Sequence, residues 1–155
     1  MKRILMTLAA LAMTVSAHAA DLKSLRASDV DALFAASQGT AQIVEIWSLD
    51  CSYCRENTAR IGEWQKKHPD VRLTMIAMDP IDDNAAALSQ VLASLPLPPQ
   101  TALYANAEAM PEKLRRALDP NWRGEMPRTL LIDARGARQT SSGLLQPAAL
   151  DAWHR

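Results

Sequence analysis

The two cysteines of this 155-residue chain stand three positions apart, as Cys51-Ser52-Tyr53-Cys54. Two cysteines placed at random would fall at that separation only about once or twice in a hundred. Their surroundings narrow the fold further. The residues before them, Gln42 to Trp47, are β-branched and aromatic and predict a central strand. From Ser52 to about Lys67 the spacing predicts a helix. Cys54, Thr58, Ile61 and Gln65 share one side with Trp64 beside them, and Arg55, Glu56, Arg60, Glu63, Lys66 and Lys67 mostly face solvent. A strand that turns into a helix at a cysteine pair puts Cys51 at the helix N-terminus. There the free backbone N–H groups and the helix dipole favour a thiolate. Cys54 falls one turn inside, on the buried side. That arrangement suits attack by Cys51 on a disulfide and release of the mixed disulfide by Cys54.

The residues alone leave three other readings open: a structural disulfide, half of a metal site, or two incidental core residues. A closed zinc site wants four ligands. Beyond the N-terminal leader only His68 and His154 remain, near helix ends and far apart in sequence, so no metal and no organic cofactor is expected.

Elsewhere the chain alternates helical and strand signals. A helix is expected over residues 29–36, ended by Gly39, and a strand from Val71 to Met78. A helix from Asn84 to Leu95 is stopped by Pro96, Pro98 and Pro99. Gln100 to Asn106 carries no decisive pattern, and a further helix is expected from about Ala107 to Leu118. Thr129 to Asp133 and Arg138 to Ser142 predict paired strands around a tight turn, and Pro147 opens a last helix. The pattern is α/β, one sheet covered by helices on both faces. With 17 Lys+Arg against 17 Asp+Glu, no basic field exists for a nucleic-acid backbone, and the length allows one domain.

The first residues read as a leader. Met1-Lys2-Arg3 is basic, Ile4 to Val15 is uncharged, and Ala17-His18-Ala19 offers small residues at the two positions a signal peptidase reads. Residues 1–19 are therefore expected to be a signal peptide and residues 20–155 the domain. That implies a soluble, exported protein, periplasmic in a Gram-negative cell, where disulfides persist.

In these features the chain resembles the thioredoxin superfamily, above all its exported members of the TlpA and Dsb kinds, from about Asp29 to the C-terminus. The resemblance implies a three-layer thioredoxin-like fold with a central mixed sheet. The long segment from Pro80 to Asp119 resembles the helical insertion that precedes the cis-proline loop in the exported reductases. Glu45, in Val44-Glu45-Ile46-Trp47, matches the family's buried acid and inherits its proposed proton relay to the inner cysteine. A glutamate in an apolar strand is costly unless paired or functional, the other reading being a solvated edge position. Trp47 matches a tryptophan packed beneath the active site. Met126-Pro127 matches the cis-proline loop, which leaves the backbone of Met126 free to pair with an extended substrate. By itself Met126 reads equally as a generic apolar loop residue. The expected catalytic residues are Cys51, Cys54 and Glu45, with Met126, Pro127, Tyr53 and Trp47 as substrate contacts.

The chain departs from many relatives at Asp50, where they carry tryptophan. Its charge opposes a thiolate on Cys51. Ser52-Tyr53 supplies no imidazole or cation between the cysteines. The expectation is a monomeric disulfide reductase acting on protein disulfides or thiols and served by a membrane redox partner. A Dsb-like oxidase or isomerase and a non-catalytic binding module with a structural disulfide are the alternatives. A dedicated task in cytochrome c maturation is found among relatives.

Overall fold

The computed structural model describes residues 21–36 and 38–155; the expected signal peptide, residues 1–19, lies outside them. Among the described residues eleven strands and helices follow one another, with a 3-10 turn (Ala27–Asp29) before the first helix. They are β1 (Leu22–Leu25), α1 (Val30–Ala35), β2 (Gln42–Trp47), α2 (Ser52–Gln65), β3 (Arg72–Pro80) and α3 (Ile81–Ser94). β4 (Ala102–Asn106), α4 (Pro111–Leu118), β5 (Arg128–Ile132), β6 (Arg138–Ser142) and α5 (Pro147–His154) complete the chain.

The sheet order is β1-β4-β3-β2-β5-β6. β1, β4, β3 and β2 run parallel, while β5 and β6 are antiparallel to their neighbours, so the sheet is mixed. β2 is buried along its whole length, as its apolar run requires in the middle of a covered sheet. Its residues alternate between two cores. Ile43 and Trp47 join Ile61 and Trp64 of α2, Leu88 and Leu92 of α3, and Leu150 of α5. Val44 and Ile46 face the other way, onto Val30 and Phe34 of α1 and Leu114 and Leu118 of α4. Helices therefore cover both faces, giving the three-layer thioredoxin-like fold expected.

Two strands escaped the sequence reading. β4 forms within the segment left undetermined and inserts between β3 and β1, so the stretch from Pro80 to Asp119 is helix–strand–helix. Its alanines carry little strand preference, and its place is set by parallel pairing on both sides. β1 is an edge strand of four residues with one buried side chain, Leu25. The helix expected from Ala107 begins at Pro111, with the proline in its first turn. Among the described residues no helix is long and apolar enough to cross a membrane.

Candidate active site

β2 delivers the site. It ends at Trp47, the loop Ser48–Asp50 follows, and Cys51 is the N-cap residue of α2, with extended backbone (φ −86°, ψ 97°). The loop is tied down by the Leu49 N–H, which donates to Asp79 Oδ2 at the end of β3 (3.0 Å). Cys51 and Cys54 form a disulfide with an S–S distance of 2.07 Å. The Cys54 N–H, in the first helical turn, is shared between the Cys51 carbonyl (3.2 Å) and Cys51 Sγ (3.2 Å). The same donor would hold a thiolate there once the pair is reduced. Cys51 is half-buried and Cys54 is buried at 1% exposure, so the outer sulfur is the one a second molecule can reach. Asp50 and Tyr53 are both exposed, the tyrosine at 63%.

Glu45 faces α2, on the same side of β2 as Ile43 and Trp47, and is fully buried. Its Oε1 accepts from Asn57 Nδ2 (3.1 Å), whereas Oε2 has no hydrogen-bond partner among the described residues. Burial pushes its carboxyl from 4.5 up to about 8, and the Asn57 amide and Thr58 hydroxyl pull it only part of the way back. Asn57 is the junction of a buried polar network. Its amide also donates to Thr129 Oγ1 (3.3 Å), and its carbonyl accepts from the Leu145 N–H (2.6 Å). Thr58 in turn donates to the Cys54 carbonyl (2.9 Å). One polar cluster thus binds β2, α2, β5 and the approach to α5 directly below the cysteines.

The Met126–Pro127 peptide bond is cis, as the family likeness implied. Ile46 pairs with Arg128 across the antiparallel β2–β5 ladder, so the next step of the register lays Pro127 alongside Trp47, four residues before Cys51. Among the described residues, neither the N–H nor the C=O of Met126 is hydrogen-bonded, while the Pro127 carbonyl accepts from the Gly143 N–H (2.9 Å). The loop is held from beneath. Arg128 pairs with Asp119, both nearly buried, and donates to Ser142 Oγ (2.8 Å) and Thr140 Oγ1 (2.7 Å). Trp122 is buried and donates from Nε1 to the Glu125 carbonyl (2.7 Å), and Arg115 donates to the Trp122 carbonyl.

Trp47, Cys51, Tyr53, Cys54, Met126 and Pro127 gather where β2 ends and β5 begins, with Glu45 two residues before Trp47, inside β2. Trp47 is buried at 2% exposure, so it lies under the site. The sequence reading missed Asn57, Thr129 and the Arg128–Asp119 pair. Asn57 had a signal in its position, one helical turn beyond Cys54 and on the same face. Thr129 had none, since its place opposite Glu45 exists only through strand pairing.

No protein-family model and no curated protein matches the chain. Solved structures do resemble it. A thioredoxin-family thiol:disulfide interchange protein from Chlorobium tepidum is 23% identical with a TM-score of 0.55, over 77% of this chain and 81% of that one. A thioredoxin-related protein from Neisseria meningitidis is 23% identical with a TM-score of 0.56, over 76% and 84%. A secreted disulfide oxidoreductase of Mycobacterium tuberculosis, homologous to Escherichia coli DsbE, is 15% identical with a TM-score of 0.55, over 77% and 84%. At these identities the likeness is one of fold.

Proposed function

We propose that this chain is an exported thiol–disulfide oxidoreductase that reduces disulfides in other proteins. The observation that carries the reading is the setting of Cys51. It is the reachable half of a disulfide at a helix N-terminus, and the unpaired backbone of Met126 lies on the adjacent loop.

In the dithiol state the Cys51 thiolate attacks one sulfur of a substrate disulfide. A mixed disulfide forms, and the other substrate sulfur leaves as a thiolate with the bonding pair. Cys54 then passes its proton to Glu45 in the molecules whose carboxyl is ionised, a fraction that grows as pH approaches 8, and attacks Cys51 Sγ. The Cys51–Cys54 disulfide forms and the second substrate thiolate departs. Two electrons have moved from the protein to the substrate, whose thiolates take up protons from Glu45 and from water. Burial that lifts the Glu45 carboxyl to about 8 makes it a far better proton acceptor for a thiol than an exposed carboxylate is. Met126 offers its N–H and C=O to an extended substrate segment, as an added strand would use them, and Pro127 keeps that edge open. Exposed Tyr53 extends the contact surface, and Trp47 supports it from below.

The basic and apolar leader and the secreted relative support export. A reductase in an oxidising compartment needs an electron donor across the membrane to return the pair to the dithiol. The chain is proposed to act as a monomer.

The test is the equilibrium reduction potential of the pair against glutathione, read by mass after alkylation. A value near that of thioredoxin, about −270 mV, supports the reductase reading. A value near about −120 mV would make the protein a disulfide donor instead. A pair that resists reduction until the fold melts would make the disulfide structural.

A further inference from the structure

We propose that His68, Asp70 and His154 form a binding site for a divalent transition-metal ion of the zinc, nickel or copper kind, because the fold gathers one donor atom from each within 4.8 Å of the others. The two histidines are 86 positions apart in the chain, each near the end of a helix. His68 lies in the turn after α2, Asp70 follows it, and His154 is the last residue of α5.

The spacing suits an ion. Ligand atoms about 2.0–2.1 Å from a tetrahedral metal stand roughly 3.3 Å from one another. His154 Nε2 and Asp70 Oδ2 are already 3.1 Å apart. The His68 nitrogen has at most about 1.5 Å to close, within the swing of a side chain that is not packed on every side. Two imidazoles and one carboxylate are donors for zinc, copper or nickel rather than for calcium or magnesium, which take oxygen. Three protein ligands leave further positions for water.

The rings also share one aromatic support. His68 stacks on the Trp64 indole (3.9 Å, 18°), and His154 meets the same indole edge-on (5.5 Å, 84°), with the two imidazoles 4.9 Å apart. Trp64 is itself fixed, nearly buried, with Nε1 donating to Asp151 Oδ1 (2.7 Å). Both histidines therefore lean on a rigid platform, which lowers the ordering cost of binding. Asp70 is exposed, so an ion enters directly from solvent. A bound ion would tie the end of α5 to the turn after α2. At 1.5 Å per residue, the 14 residues of α2 put this site roughly 20 Å from Cys51, so it owes nothing to the thiol chemistry.

The experiment uses untagged protein in the disulfide form, so that no thiol competes, titrated with Zn2+ by calorimetry and with Ni2+ by tryptophan emission. Binding is expected to saturate at one ion per chain, and Ni2+ to quench the emission of Trp64. Asp70→Asn and His154→Gln should each weaken binding at least tenfold, about the least that losing even an outer-shell partner costs. Both substitutions lie at the surface, and far-ultraviolet circular dichroism confirms that each variant is folded. Absence of saturable binding overturns the proposal, as does unchanged affinity in the two variants. In that event the Asp70–His154 contact is a hydrogen bond and nothing more.

Discussion

Replacing Glu45 with glutamine should alter how stability depends on pH more clearly than it alters stability at any one pH. The carboxyl titrates at 4.5 when exposed and at about 8 in the fold. Between those values the native protein keeps a proton that the unfolded chain has lost. Stability therefore falls as pH rises, by about 1.4 kcal/mol per unit. The contribution is intact below about pH 4.5 and gone above about pH 8. Roughly 3 kcal/mol of it has disappeared by pH 7, and roughly 5 kcal/mol across the whole window. Glutamine does not ionise, so the variant lacks this slope. Its amide meets the same pocket in which Oε2 has no partner, which costs about 1–3 kcal/mol at every pH. That offset shifts the variant's curve without tilting it. The assay is urea unfolding of the disulfide form of both proteins at whole pH units from 5 to 9. Other titrating groups cancel in the difference. Wild type should lose stability relative to the variant by about 1.4 kcal/mol per unit up to about pH 8, and then run parallel to it. Parallel curves throughout would refute the burial argument and, with it, the proton role given to Glu45.

Asn57→Leu removes the donor to Glu45 and the acceptor for the buried Leu145 N–H. It should cost about 1–3 kcal/mol for each orphaned group and push the Glu45 carboxyl higher still, read by the same pH series. Gly62→Ala should destabilise by about 1–3 kcal/mol in urea although alanine favours helices, because a Cβ there would stand 2.8 Å from the Pro96 carbonyl oxygen. Arg128→Met strands Asp119 and should cost about 3–5 kcal/mol, whereas Arg128→Met combined with Asp119→Leu should recover most of it. Burial raises the Asp119 carboxyl, but hydrogen bonds from Arg128, Asn121 and Trp122 outweigh it and hold the group below 3.8. Its contribution is therefore present above pH 3.8 and lost as pH falls through the native value. The acid unfolding curve of Asp119→Asn should lack that component.

The site's covalent centre was legible because it is local. A strand run, a cysteine pair and an amphipathic helix are contiguous, and periodicities of two and 3.6 residues report them directly. Glu45 was legible as an anomaly, a carboxyl in an apolar strand, and Met126-Pro127 through family likeness. Legibility failed where a residue's environment comes from distant chain. β4 has weak strand preference and forms because β3 and β1 both offer it hydrogen bonds. Thr129 reaches Asn57 only because β5 pairs with β2 in one register, and a shift of a single residue would turn it to the other face.

The amino-acid sequence by itself determined which atoms can react, where the helix that polarises them begins, and which faces of the elements seek a core. Those properties follow from neighbours within one or two helical turns. Only the tertiary structure decided that Glu45 is sealed from water, that Asn57 ties β2, α2, β5 and the segment before α5 together around it, and that His68 and His154 share one indole. Each of these depends on closing long loops into a single register. No local pattern encodes that choice, because the whole sheet and both cores make it together.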